Sequence, residues 1–159
     1  MSKAEMLKRE AIPYSVEELL PQAPPFVLID RIADATDDTM TSEVRIAEDS
    51  PFFRPFEGVP AWIGTEYMAQ TVAALVGLRD RRRGQAPSIG FLVAVHDFRA
   101  EAPVFPTGSL LKVRVKEAFN DGTMAVFNAE ICDPGDRQLV KARLNVYLPG
   151  PDHPIYATA

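Results

Sequence analysis

"VPAWIGTEYMAQTVAALVGL", residues 59–78, is a nearly unbroken apolar stretch carrying a single charge, Glu66. An ionised carboxylate without partners is costly to bury, so such a group is paired, protonated or put to use. The stretch is just long enough to cross a bilayer. Pro60, Gly64, Glu66, Gln70 and Thr71 interrupt it, however, and no second span offers to shield them. A helix apolar on all sides is otherwise one wrapped by protein. The segment therefore reads as a long buried helix with no membrane span.

Outward from that helix, the chain alternates turns with strand-like runs. "SVEELL" (15–20) opens on a capping-box pattern, Ser15 with Glu18, and predicts one or two helical turns. "PFVLIDRIADAT" (25–36) reads as a strand, and "MTSEVRIAE" (40–48) alternates as a second one across a turn at "DATDD". A Pro- and Phe-rich loop (49–58) leads to the helix, where Pro60 suits the first turn. Beyond "RDRRRG" (79–84) lie runs at 89–105, 109–120, 123–133 and 138–149, separated by turn signals that include Asp121-Gly122. The order is short helix, two strands, one long helix, four strands. A curved antiparallel sheet wrapped around one long buried helix, an α+β fold, accommodates every element. One sheet covers only part of such a helix, so a second copy or a related partner chain is expected to cover the rest.

Composition narrows the function. The chain has 159 residues, suited to a single domain over 1–159 with a lead-in at 1–14 and a tail at 150–159. A net charge of -5 argues against nucleic-acid binding. The basic run "RDRRRG" reads as a helix end where cations suit the dipole, or as a docking patch for an acidic partner. With one cysteine, Cys132, and two histidines there is no disulfide and no metal cluster at a recognised spacing. The charged first residues are unlike a secretion signal, which makes the cytoplasm the expected compartment. No nucleotide or flavin motif is found, so no cofactor is expected.

Several phrases also carry a resemblance. "LPQAPPFVLIDRI" (20–32) resembles the "LPHRxPFLLVDRV" phrase of hot-dog-fold 3-hydroxyacyl-acyl-carrier-protein dehydratases. "SPFF" followed by Pro60, Glu66, Met68, Ala69 and Gln70 resembles their central helix, and "FRAEAPVFPTGSLLKV" (98–113) resembles one of their strands. "VPAWIGTEYMAQTVAA", "GFLVAV" and "ARLNVYLP" are closer still to dehydratase-like proteins of aryl-polyene-type clusters. The resemblance implies a hot-dog fold and a dimer. It also implies loss of water from a 3-hydroxyacyl thioester held on an acyl carrier protein or coenzyme A. That reaction needs a base for the C2 proton and an acid for the C3 hydroxyl.

The resemblance assigns the helix carboxylate, Glu66, to that chemistry, with its pKa expected to rise in an apolar pocket. The family's histidine lies in a "GHFPG" phrase before the helix, whereas this chain reads "FFRPFEGVP". The histidine of the "LPH" phrase is replaced by Gln22, an amide that cannot exchange a proton near neutrality. Glu57 and His96 are the candidate replacements. Gln22, Pro60, Ala61, Trp62 and Gln70 are the expected substrate-binding positions, with backbone N–H groups at the helix start polarising the thioester carbonyl. The competing readings are an inactive hot-dog subunit that binds acyl groups or completes a heterodimer, and an acyl thioesterase.

Overall fold

Ser15 and Glu18 close the predicted capping box: Ser15 Oγ accepts from the Glu18 N–H at 3.3 Å, and the Glu18 carboxylate accepts from the Ser15 N–H at 2.7 Å. They start helix α1 (Val16–Leu19). The structure, a computed structural model, describes residues 12–157, so most of the expected lead-in lies outside the described residues. Strands β1 (Arg31–Ala35), β2 (Thr39–Arg45) and the short β3 (Val59–Pro60) precede a 3-10 turn (Ala61–Ile63) and helix α2 (Gly64–Arg82). After it come β4 (Phe91–Ala100), the short β5 (Val104–Phe105), β6 (Leu110–Asn120), β7 (Met124–Cys132) and β8 (Gln138–Tyr147).

Six strands form one antiparallel sheet in the order β1-β2-β6-β7-β8-β4, while β3 and β5 pair separately. Alternation decides which face each side chain takes. Val113 and Val115 of β6, Phe127 and Ile131 of β7, and Leu144 of β8 point at α2 and are buried. Arg114, Lys141 and Arg143 lie on the outer face. This is the hot-dog arrangement, with the sheet curled about one long helix.

Three contacts fix the helix in the sheet. Thr71 Oγ1 donates to Tyr67 O at 2.8 Å, so the buried 2.6 Å contact between Ser42 and Thr71 has Ser42 as donor. At Gly77 a Cβ would meet Leu19 O at 1.9 Å, so α1 can lie against α2 only because no side chain is there. At the far end the Asp80 carboxylate accepts from Ser88 N–H at 2.8 Å and ties down the chain after the helix.

The basic run is largely used by the fold itself. Arg79 pairs with Glu117 at 2.6 Å and donates to Asp37 O, Arg81 donates to Glu18 O, and Arg82 faces Asp37. These contacts lock the C-terminal turn of α2 to three other elements, which supports the helix-end reading of the run. Cys132 is buried, and burial pushes its thiol pKa up, the opposite of what a nucleophile needs. No helix among the described residues is long and apolar enough to cross a membrane.

Two expectations need correction. The strand read over 25–36 begins only at Arg31, because the backbone of Phe26 and Leu28 bonds to a side chain of α2 rather than to a neighbouring strand. And α2 is not buried on all sides. Thr65, Ala69, Ala73 and Val76 are half-buried and Glu66 is exposed, forming one stripe along the helix that the sheet leaves uncovered.

Candidate active site

The uncovered stripe forms one wall of a cleft of about 150 Å³. Glu66 comes from the first turn of α2 and Gln22 from the segment after α1. Ala69, Val72, Ala73 and Val76 of the helix, with Leu92 and Val146 of the sheet and Leu148 just after β8, make most of the rest apolar. A larger recess of about 850 Å³ shares Pro21, Val76, Ser88 and Leu148 with it. The cleft therefore continues along α2 toward the C-terminal end of the helix. From Glu66 to Val76 the helix rises by roughly 15 Å at 1.5 Å per residue.

Gln70 organises the polar end of the cleft. It lies one turn after Glu66 and is 1% exposed. Its Nε2 donates to Glu66 Oε1 at 2.9 Å and to Phe26 O at 2.7 Å, while its Oε1 accepts from Leu28 N–H at 2.8 Å. One buried amide thus orients the carboxylate and holds the segment carrying Gln22 against the helix. The spacing of Glu66 and Gln70 placed both on one helix face in the sequence. That Gln70 would reach a backbone 42 residues away left no local signal.

The remaining candidates scatter. Glu57 is exposed in the tight turn 54–58 and does not line the cleft. His96 pairs with Arg143 across β4 and β8, which puts it on the outer face, on the opposite side of the sheet from α2. Its Nε2 lies 3.4 Å from Asn145 Nδ2. Register shifts in β4 between Leu92 and Ala94, and between His96 and Arg99, break the simple alternation that sequence reading assumes.

At the helix start, Pro60 and Ala61 are buried, and the Ala61 N–H is already donated to Pro103 O at 2.8 Å. The Trp62 N–H follows it and precedes any acceptor within the 3-10 turn, so it is the donor left to meet an incoming carbonyl, whereas the Ile63 N–H is used inside the turn. The Trp62 side chain is 59% exposed at this end. Among the described residues no group of histidine, cysteine and carboxylate side chains is arranged to hold a metal ion.

Tyr67 is buried in the core, does not line the cleft, and borders a separate recess of about 540 Å³ with Asp30 and Ser50. Burial, and then the nearby Asp30 carboxylate, push its phenol up to about 12.

Comparison with known proteins gives a consistent picture. A family model described as ApeP dehydratase matches residues 14–156. The 3-hydroxyacyl-[acyl-carrier-protein] dehydratase FabZ of Methylobacterium sp. (strain 4-46) is 30% identical over 120 residues, covering 72% of each chain. FabZ of Streptococcus equi subsp. zooepidemicus is 26% identical over 119 residues, covering 72% of this chain and 82% of that protein. Among solved structures, the dehydratase heterocomplex ApeI:P from Xenorhabdus doucetiae matches with a TM-score of 0.82 at 29% identity, over 91% of this chain and 97% of that one. A hypothetical thioesterase protein from Streptococcus pneumoniae with coenzyme A matches at 0.61 and 12% identity over 76% of this chain and 85% of that one, which speaks to the fold alone.

Proposed function

The chain belongs to the ApeP-like dehydratase family, and from that premise we propose that it is a hydro-lyase acting as a single hot-dog domain. It removes water from a 3-hydroxyacyl thioester carried on an acyl carrier protein or coenzyme A. The observation that carries the reading is Glu66: a carboxylate lining an apolar cleft, one oxygen held by a buried amide, in the turn that follows the open Trp62 N–H.

In this reading the thioester carbonyl accepts from the Trp62 N–H, which stabilises charge developing at its oxygen. Glu66 takes the C2 proton as the C2–H bond breaks. It then returns that proton to the C3 oxygen as the C3–O bond breaks, the C2=C3 double bond forms and water leaves. The carboxylate ends as it began. The acyl chain lies along Ala69, Ala73 and Val76.

A second reading is favoured by two observations. No histidine lines the cleft, where Gln22 stands instead. The sheet also ends in β4, whose Phe91, Leu92, Val93 and Val95 are between 36% and 56% exposed. An apolar strand edge next to an uncovered helix stripe suits a second hot-dog subunit. A copy of this chain would make a homodimer. A related chain would make a heterodimer in which the partner supplies the histidine and this chain binds or positions the acyl group.

The test is to incubate the purified chain, alone and with any related subunit from its own source, with a 3-hydroxyacyl-carrier thioester, and to follow the mass of the acyl group. Loss of water by the chain alone that disappears in Glu66→Gln supports the first reading. Loss only with the partner present supports the second. Release of free acid would move the assignment to a thioesterase.

A further inference from the structure

The two glutamines of the site differ in how their amides are used. Gln70 has both ends bonded. Gln22 lines the same cleft as Glu66, yet its Oε1 is sealed from solvent and has no hydrogen-bond partner. A buried amide oxygen left in that state weakens the fold, and native proteins keep few of them.

Nor is Gln22 loosely placed. Leu19 and Leu20, just before it, are buried in the core. Phe26 and Leu28, just after it, are clamped by Gln70. The segment is pinned on both sides, so the amide stays at the cleft. Turning the amide about its last side-chain bond exchanges oxygen and nitrogen in the same space, so the end facing the cleft can either donate or accept. A hydroxyl does both as well, which makes an alcohol the complementary ligand group. A site holding an unused polar group of this kind discriminates against ligands that cannot bond to it.

We propose that Gln22 is a specificity-determining residue: its amide hydrogen-bonds the C3 hydroxyl of the bound thioester and so selects a 3-hydroxyacyl chain over the saturated chain of equal length. The inference rests on the ligand class of the dehydratase reading, but not on turnover by this chain. Glu66 lines the same cleft, so the amide and the carboxylate border one ligand space.

The test uses 3-hydroxydecanoyl-pantetheine and decanoyl-pantetheine, titrated calorimetrically into the full chain carrying Glu66→Gln so that neither ligand turns over. The expected result is tighter binding of the hydroxylated ligand by about tenfold, the size of one good hydrogen bond. Adding Gln22→Met, close in shape and without an amide, removes that ratio and leaves decanoyl-pantetheine bound within about twofold. Because the substitution also deletes a sealed, unpartnered oxygen, the melting temperature holds or rises. Gln22→Leu repeats the measurement should the methionine variant fold poorly. An unchanged ratio, an equal loss for both ligands, or no binding of either by the chain would overturn the assignment. If the ratio collapses as expected while the chain with Glu66 intact loses no water from its ligand, the dehydratase reading fails and the role of Gln22 stands.

Discussion

Opposite faces of α2 are built from different materials. Toward the sheet it presents Tyr67, Met68, Thr71, Leu75 and Leu78, each no more than 2% exposed. On the uncovered side it presents Glu66, Ala69, Ala73 and Val76, which line the cleft. Large side chains fill space where the sheet closes over the helix, and small ones keep space open where a ligand is to lie. The difference teaches that one helix serves as core on one side and as site on the other. Its only carboxylate in the first turn falls on the site side.

Breaking the site side should show first in chemistry. Glu66→Gln keeps the shape and can still meet Gln70, but it cannot take a proton. We expect the rate of water loss to fall by about 10²–10⁴, the range typical for removing a general acid–base group, with the melting temperature nearly unchanged because the side chain is exposed. Single-turnover mass spectrometry of the acyl thioester measures it. A variant that retains most of the wild-type rate would place the acid–base group elsewhere.

Paired substitutions sharpen the contrast between the faces. Leu75→Ala removes a fully buried side chain and should cost about 2–5 kcal/mol in chemical denaturation. Ala73→Phe, two residues away, adds far more volume but on the uncovered stripe, so stability should change by less than about 1 kcal/mol. It should instead exclude acyl-pantetheines long enough to pass Ala73 while short ones still bind, as titration with a chain-length series would report. If Ala73→Phe destabilised the chain as strongly as Leu75→Ala, the cleft would be packed core. Gly77→Ala probes a place where α1 lies directly against α2. Its Cβ would strike Leu19 O, a backbone atom that can move only with α1. A loss of about 1–3 kcal/mol is expected despite the better helix propensity of alanine.

Much of this was legible in sequence, and the misses have physical causes. Strands β2 and β8, and β6 and β7 up to the irregularities at Glu117–Phe119 and Ile131–Cys132, obey simple alternation because one face is core and the other is solvent. The long helix was legible from its apolar run, though only residues at the stripe disclose that it is covered on one side. "FVLI" was misread because β propensity is local, whereas its backbone partner, Gln70, comes from a distant part of the chain. His96 shifted role because bulges in β4 put it on the outer face. Glu66 and Gln70 stand four residues apart, a spacing that a helix brings together, and Gln22, in the phrase where it replaces a histidine, lines the same cleft as Glu66. That its amide oxygen lacks a partner was visible only once the fold was built.

Tyr67 marks the border between the two faces and offers the smallest effect. It is next to Glu66 in sequence, yet it is 2% exposed and its phenol is pushed up to about 12. An unfolded tyrosine titrates near roughly 10. Below that value both states keep the proton and the group adds no pH dependence. Between about 10 and 12 the unfolded chain releases its proton first and so binds fewer protons than the folded one; stability then falls as pH rises, by on the order of 1 kcal/mol at pH 11. Tyr67→Phe should remove this part of the alkaline slope and leave the rest, a difference readable in urea melts of both proteins at about pH 9 and pH 11. Identical slopes would mean that the hydroxyl ionises freely into the neighbouring recess. The border between core and solvent would then run behind Tyr67, with the closed face of α2 beginning at Met68.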